Sequence, residues 1–411
     1  MLHRASSFWY KLAALFLALA LIVPVLAGCG KEKETAAPTA TPVATATPTP
    51  TPAKGPVKIG AIVPWSGPMA MSGVIADQII AVVEEQVKNM GGILGGRQVK
   101  FVRGDDRGMV AESVAQAKRL ILDEKVTALT LGGVSAAHFT AVSEVAEELK
   151  VPYVAFASVY GVAAKKYSAC LFAQETTIGR FANFIIDVVK PKTVAYLGYD
   201  AEDARNVLNG VEGVVGARDR LKANGINIVY EQYFPQGTVD FTPYLTKIKY
   251  LKPDLVVTYL NATEQAVTVN KQIMELGGWG SIKYYGSTET SSDKAAITIP
   301  SAVGTYAVAM WLPGSDDPGM KAFEDAFKQK HGRLPTPTLS MFYNCFWVAI
   351  KAIEMAGTDD PVKVAEALRS GNLVWDSAWG RHRIPPNGKG EIKGMVAQVQ
   401  EGGKLVKVWP E

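Results

Sequence analysis

The feature that most constrains this chain is a rhythm. Over residues 57–158, four runs of aliphatic and β-branched residues alternate with stretches whose apolar side chains recur at helical spacing. The runs are "VKIGAIVPW" (57–65), "QVKFVRG" (98–104), "VTALTLGG" (126–133) and "VPYVAFAS" (151–158). Between the first two, Ala76, Ile79, Ile80, Val83 and Val87 fall on one helical face; between the next two, Val114, Ala117, Leu120 and Ile121 do. A third helix is expected over 136–149. Strands that are apolar nearly throughout are buried on both faces, and the helices between them supply the cover. The expectation is a parallel sheet wound with helices on both sides.

The rhythm then restarts. A helix over 178–190 precedes "TVAYLGYD" (193–200), a long helix over 203–223 and "INIVYEQYF" (226–234). A helix over 241–251, "DLVVTYL" (254–260), a helix over 263–276 and "IKYYGS" (282–287) complete the second series. A strand at "GTYAVAMWLP" (304–313) leads to three helices, over 318–331, 336–356 and 361–370. The last residues carry a Pro-Asn-Gly turn and the alternation of β-hairpins. The fold class read from this is α/β, with two doubly wound lobes and no long linker between them.

Ahead of the rhythm lies a different chemistry. A basic start (His3, Arg4, Lys11) is followed by an apolar run over 12–26, about fifteen residues, short of the roughly 20 a helix needs to cross a bilayer. That is the layout of a secretory leader. Its end, "LAGC", resembles the lipobox of bacterial lipoproteins, which implies a leader over 1–28 and a diacylglycerol on Cys29. Residues 29–56 are Thr, Pro and Ala with almost no large apolar side chain, a composition expected to stay unfolded as a stiff tether. The expected location is extracytoplasmic, lipid-anchored at the outer face of the cell membrane or periplasmic. The formal charge of +4 comes with no basic block interleaved with aromatics, so nucleic acid is not an expected partner. Cys170 and Cys345 are either bridged or buried as free thiols.

In open parallel sheets, ligands bind beyond the carboxyl ends of the strands, near helix N-termini. That rule selects "PWSGPMAMSG", with Trp65, Ser66 and Ser72, and "GGVSAAH", with Gly133, Ser135 and Ala136. It also selects "ASVYG", with Ala157, Ser158 and Tyr160, and in the second series Tyr199, Asp200, Asn261 and Glu289. In "GGVSAAH", Gly-Gly admits a ligand close to the backbone, and the first N–H groups of the helix suit a carboxylate. Ser135 either caps its own helix or joins that site. Trp65, Tyr160, Tyr199 and Tyr259 either line a pocket or belong to the core.

Three blocks, "VKIGAIVPWSGPMAMSG", "GGILGGRQVKFVRGDDRG" and "LGGVSAAHFTAVSEVAEELKVPYVAFAS", resemble in order and spacing the branched-chain-amino-acid-binding proteins of ABC importers. The resemblance implies the type I periplasmic-binding fold, with lobes over 57–176 with 311–376 and over 177–310 with 377–411, joined by three hinge strands. It implies a solute enclosed between the lobes, its carboxylate held by the loop containing Gly133, Ser135 and Ala136. The amino group would meet Ala157, Ser158 and an acid matching Glu289. It further implies a monomer that hands an amino acid or related small carboxylate to a permease and its ATPase subunits. Two departures stand out. Val159 and Tyr160 follow Ser158 where leucine binders carry a threonine, and Thr288 competes with Glu289 for the acid's place.

Other function classes are weaker. "GGVSAA" approaches the nucleophile elbow of α/β-hydrolases, with Asp376 and His382 completing a Ser–Asp–His order. A ligand-sensing receptor of the same fold would need an output domain that the chain does not carry. No spaced His/Cys set suggests a metal and no Gly-x-x-x-x-Gly-Lys run a nucleotide, so no cofactor is expected. Replacing Cys29 with Ala is expected to shift the protein from the membrane fraction to the soluble one on cell fractionation. Persistence in membranes would point to an uncleaved helix instead.

Overall fold

A computed structural model of the chain describes residues 55–410 except 156–160, 212, 236, 261, 292–293 and 393. Cys29, the expected leader and nearly all of the expected tether lie outside the described residues. The first rhythm becomes β1 (Val57–Val63), α1 (Met71–Asn89), β2 (Val99–Asp105), α2 (Val110–Leu122), β3 (Ala128–Leu131), α3 (Ala136–Leu149), β4 (Tyr153–Ala155) and β5 (Ser168–Cys170). These strands form a parallel sheet in the order β2-β1-β3-β4-β5. Neighbouring residues of β1 enter different cores: Ala61 packs with Ile79 and Val83 of α1, Ile62 with Leu120 of α2 and Val142 of α3. That is the double-sided burial an unbroken apolar strand requires.

The second series runs α4 (Gln174–Phe184), β6 (Thr193–Tyr199), α5 (Glu202–Asn209), β7 (Gly210–Val211), β8 (Val214–Val215), α6 (Ala217–Ala223) and β9 (Asn227–Phe234). It continues with α7 (Thr242–Leu251), β10 (Leu255–Tyr259), α8 (Thr263–Glu275), β11 (Lys283–Gly286), α9 (Lys294–Ile297) and β12 (Tyr306–Ala309). The chain returns to the first lobe through α10 (Pro318–His331), α11 (Pro337–Ala356), α12 (Pro361–Leu368), β13 (Leu373–Ser377), β14 (Gly380–Ile384) and β15 (Glu391–Ile392). It ends in β16 (Met395–Val399) and β17 (Leu405–Trp409). The second sheet has the order β17-β16-β12-β11-β10-β6-β9, parallel except for β16 and β17. Asp317 and Asp360 cap α10 and α12 through backbone N–H groups at 3.0–3.1 Å, each followed by a proline that suits the first helical position.

Three expectations need correction or resolution. The helix expected over 203–223 is two helices split by the β7–β8 hairpin. Gly210 sits at φ 84°, and a Cβ on Gly216 would lie 2.2 Å from the Leu208 carbonyl, so the chain can only turn there. Residues 377–392, expected in the second lobe, pack in the first: Trp379, Ile384 and Ile392 share a core with Ile59 and Phe346. β13 and β14 are ladder partners from Leu373↔Ile384 to Ser377↔Gly380, so both strands go where Trp375 is buried. Cys170 and Cys345 are both buried and not joined in a disulfide.

His382, on β14, is fully buried. Its ring stacks on Trp375 with centroids 4.3 Å apart, and Nε2–H donates to the Leu171 carbonyl at 2.6 Å. Burial lowers its pKa from 6.5 to about 3. Between those values the unfolded chain takes up a proton that the folded chain refuses. The stabilisation is therefore whole above about pH 6.5 and declines by about 1.4 kcal/mol per pH unit as pH falls toward 3. Urea unfolding between pH 7 and 4 should show this extra slope in the native chain and not in His382→Leu. Equal slopes would mean that the native ring protonates.

Candidate functional site

The carboxyl ends of the parallel strands carry the selected loops. In the first lobe, Asp105 at the end of β2 organises the loop after β1. Its Oδ1 accepts the N–H groups of Trp65 (2.8 Å), Arg107 (3.1 Å) and Ser66 (3.2 Å), and its Oδ2 accepts the Ser66 hydroxyl at 2.6 Å. Burial pushes the Asp105 carboxyl up, but the Ser66 hydroxyl and the three N–H groups together hold it below its ordinary value. The Trp65 indole donates to Asp77 at 3.0 Å, and a Cβ on Gly73 would strike Trp65 at 2.6 Å. The Ser66 hydroxyl and the Trp65 indole N–H are thus committed to the wall of the lobe. Ser72 is half-buried in the first turn of α1.

The loop after β3 is built differently. Leu131, Gly132 and Gly133 take φ of 71°, 91° and 108° in succession, conformations costly for the leucine. The N–H groups of both glycines donate to the Ile62 carbonyl at 3.1 and 2.8 Å, and the Tyr153 hydroxyl donates to the Leu131 carbonyl at 3.0 Å. A Cβ on Gly133 would lie 2.5 Å from His138. Ser135 occupies the N-cap position of α3, yet makes no capping bond to the backbone. Its Oγ lies 2.7 Å from His138 Nδ1 instead. The first-turn N–H groups of Ala136 and Ala137 therefore have no side-chain cap, at the positive end of a fourteen-residue helix. Ala157, Ser158 and Tyr160 of the next loop lie outside the described residues.

In the second lobe, the Tyr199 hydroxyl at the end of β6 donates to the Asp203 carboxylate, and its ring stacks on Tyr259 with centroids 6.0 Å apart. Glu289 lies half-buried in a single 3-10 turn over Thr288–Ser291. Burial raises its carboxyl, the Ser287 hydroxyl opposes this, and the charge of Asp203 raises it further. Asp203, Tyr199, Tyr259 and Glu289 thus form one electrostatically coupled group. Asp200 stands apart, exposed and paired with Arg205 at 2.7 Å. Asn261 lies outside the described residues.

The hydrolase order does not assemble. His382 faces Leu171, Asp376 pairs with Arg381 at 3.0 Å, and Ser135 meets His138. A cavity of about 420 Å³ opens at the other edge of the second sheet, where Lys283 and Tyr306 begin their strands. Asp203 and Glu289 stand at the opposite, carboxyl edge of that sheet, and the N-terminus of α3 at the carboxyl edge of the first. Sequence reading missed Asp105, the pairing of His138 with Ser135, and Asp203. "GDDRG" after an apolar run was the available signal for the first, and the Ser–His spacing of three on a helix for the second.

A family model described as periplasmic binding protein matches residues 56–404. The Leu/Ile/Val-binding protein homolog 7 of Brucella abortus (strain 2308) is 25% identical over 379 residues, covering 87% of this chain and 92% of its own. A solute-binding protein of an ABC transporter from Rhodopseudomonas palustris HaA2, solved with p-hydroxybenzoic acid, is 25% identical. Its TM-score is 0.72, over 86% of this chain and 96% of its own. A leucine-binding protein from Thermotoga maritima MSB8 is similar in fold, with TM-score 0.68 and 24% identity over 86% of this chain and 97% of its own.

Replacing Asp105 with Ala orphans four donors at the mouth of the first lobe. A loss of about 1–2 kcal/mol in unfolding free energy is expected from urea titration, because a carboxylate partner is stronger than a neutral one. A loss below about 0.5 kcal/mol would show that the Trp65–Ser66 loop is held by other contacts.

Proposed function

The chain belongs to the periplasmic binding protein family, and from that premise we propose that it captures a small carboxylate between its lobes and delivers it to the permease of an ABC importer. The observation that carries this is the uncapped turn from Gly132 to Ala137. There the two glycines bare the backbone, Ser135 leaves the first-turn N–H groups to another acceptor, and the helix dipole favours a negative charge. The relatives support the class. One is named for leucine, isoleucine and valine and another was solved with p-hydroxybenzoic acid, and a carboxylate is what these ligands share. On this reading Ser135 and the first-turn N–H groups of Ala136 and Ala137 hold the carboxylate, while Gly133, its own N–H given to Ile62, leaves room for it. Glu289 and the Tyr199–Tyr259 pair face the rest of the solute, and Ala157, Ser158, Tyr160 and Asn261 are proposed contacts from the sequence alone.

Hinge closure around a ligand is general for periplasmic binding proteins. The ligand touches both lobes only when they are closed, and it shifts the equilibrium by no more than its differential affinity for the two states. A lipid on Cys29 and the Thr/Pro tether then raise the effective concentration of the closed form at the permease, with no added contact.

Thermal-shift titration tests the reading. L-leucine or 4-hydroxybenzoate is expected to stabilise the protein progressively, by about 2.7 kcal/mol at a hundred times Kd, while glucose leaves it unchanged. Ser135→Ala should weaken the acid about tenfold, the value of one hydrogen bond to a charged group. Stabilisation by the sugar and by no acid would refute the assignment.

A further inference from the structure

Arg180 is a buried charge that the site described so far does not use. It lies on α4 of the second lobe and is 4% exposed. Its Nη1 donates to the Met310 thioether at 3.6 Å, a weak acceptor. Its Nε and Nη2 are buried without any hydrogen-bond partner, and among the described residues no carboxylate pairs with it. Nearby, the Tyr285 hydroxyl is also buried and without a partner. Structural arginines in protein interiors are paired or fully hydrogen-bonded, because a desolvated charge without a counter-charge is costly.

Its position is as telling as its isolation. Tyr259, whose hydroxyl feels the Arg180 charge, closes β10 level with Gly198 near the end of β6. Met310 follows the last residue of β12, and Gly394 precedes the first residue of β16. These are the carboxyl ends of the second sheet and two of the connections between the lobes. A Cβ on Gly394 would fall 1.9 Å from Nη2 and 2.0 Å from Cζ, so only a glycine lets the guanidinium lie there. The two unpartnered nitrogens are also the ones on the straight edge of the guanidinium, the edge that grips a carboxylate with two parallel bonds.

We propose that Arg180 is an anion-binding residue of the second lobe, receiving a carboxylate of the bound solute through Nε and Nη2. The inference rests on the carboxylate reading above and deepens it. With the Ser135 turn taking one acidic group in the first lobe and Arg180 another in the second, the favoured solutes are dicarboxylates. Met310 and Gly394 cover the guanidinium, so the second carboxylate reaches it as these connections shift, which ties capture to hinge movement.

Calorimetric titration of the full folded chain with the monoacids 4-hydroxybenzoate and L-leucine, and the diacids glutarate, L-glutamate and terephthalate, tests this. At least one diacid should bind tenfold or more tighter than the monoacids. Arg180→Met should weaken that diacid about a hundredfold, leave the monoacids within about threefold, and keep or raise the urea midpoint of the ligand-free chain. Arg180→Lys, which keeps the charge and loses the fork, should fall between. If monoacids bind and no diacid is preferred, or Arg180→Met binds the diacid unchanged, the role of Arg180 is refuted and the carboxylate reading stands. A clear drop in the ligand-free midpoint would mark the residue as structural and also refute it. If no acid binds the native chain, the carboxylate reading falls, and this inference with it.

Discussion

Parallel strands buried on both faces are the constraint on which everything else here depends. Such a strand cannot turn back on itself; it must cross over through a helix, and every crossover delivers the chain to the same edge of the sheet. Each lobe therefore gathers its strand ends and helix starts on one side. β1 shows how tightly this is enforced: Val57 and all of the residues from Ile59 to Val63 are buried. The loops at the carboxyl edge are the part of the sheet left free to do chemistry.

The two lobes use that freedom in opposite ways. In the first, polar side chains are largely consumed by structure: Asp105 gathers the Trp65–Ser66 loop, and Ser135 turns to His138. What remains on offer is backbone N–H, a fixed set of donors that costs nothing to orient when an anion arrives, with the Ser135 hydroxyl, oriented by His138, beside it. In the second, the edge carries stacked tyrosines, the acid Glu289, raised by burial and by the charge of Asp203, and a buried arginine. A solute that accepts from one side and engages charge on the other has reason to hold both.

The fold was legible because its signals are local and repeated. Apolar runs with helical spacing between them recur along the chain whatever the loops contain, and β1, α3, β6 and α10 fall within two residues of their expected limits. The site was less legible. Ser135 could be selected from a Gly-Gly-x-Ser turn, but whether its hydroxyl caps the helix depends on His138 one turn away. Asp200 and Asp203 look alike in sequence; one pairs with Arg205 in solvent and the other binds the Tyr199 hydroxyl. The glycine-driven break at Gly210–Gly216 was overridden on paper by good helix formers on either side.

By its own pattern the sequence determined the class of fold and the two-lobed division, since hydrophobic period and strand direction are short-range properties of the chain. Only the tertiary structure decided which lobe receives the Trp375–Trp379 hairpin, which carboxylate faces which hydroxyl, and which buried cation lacks a partner. Those outcomes turn on distances between residues far apart in the chain, as between Arg180 and Gly394, where a single missing Cβ makes room for a charge.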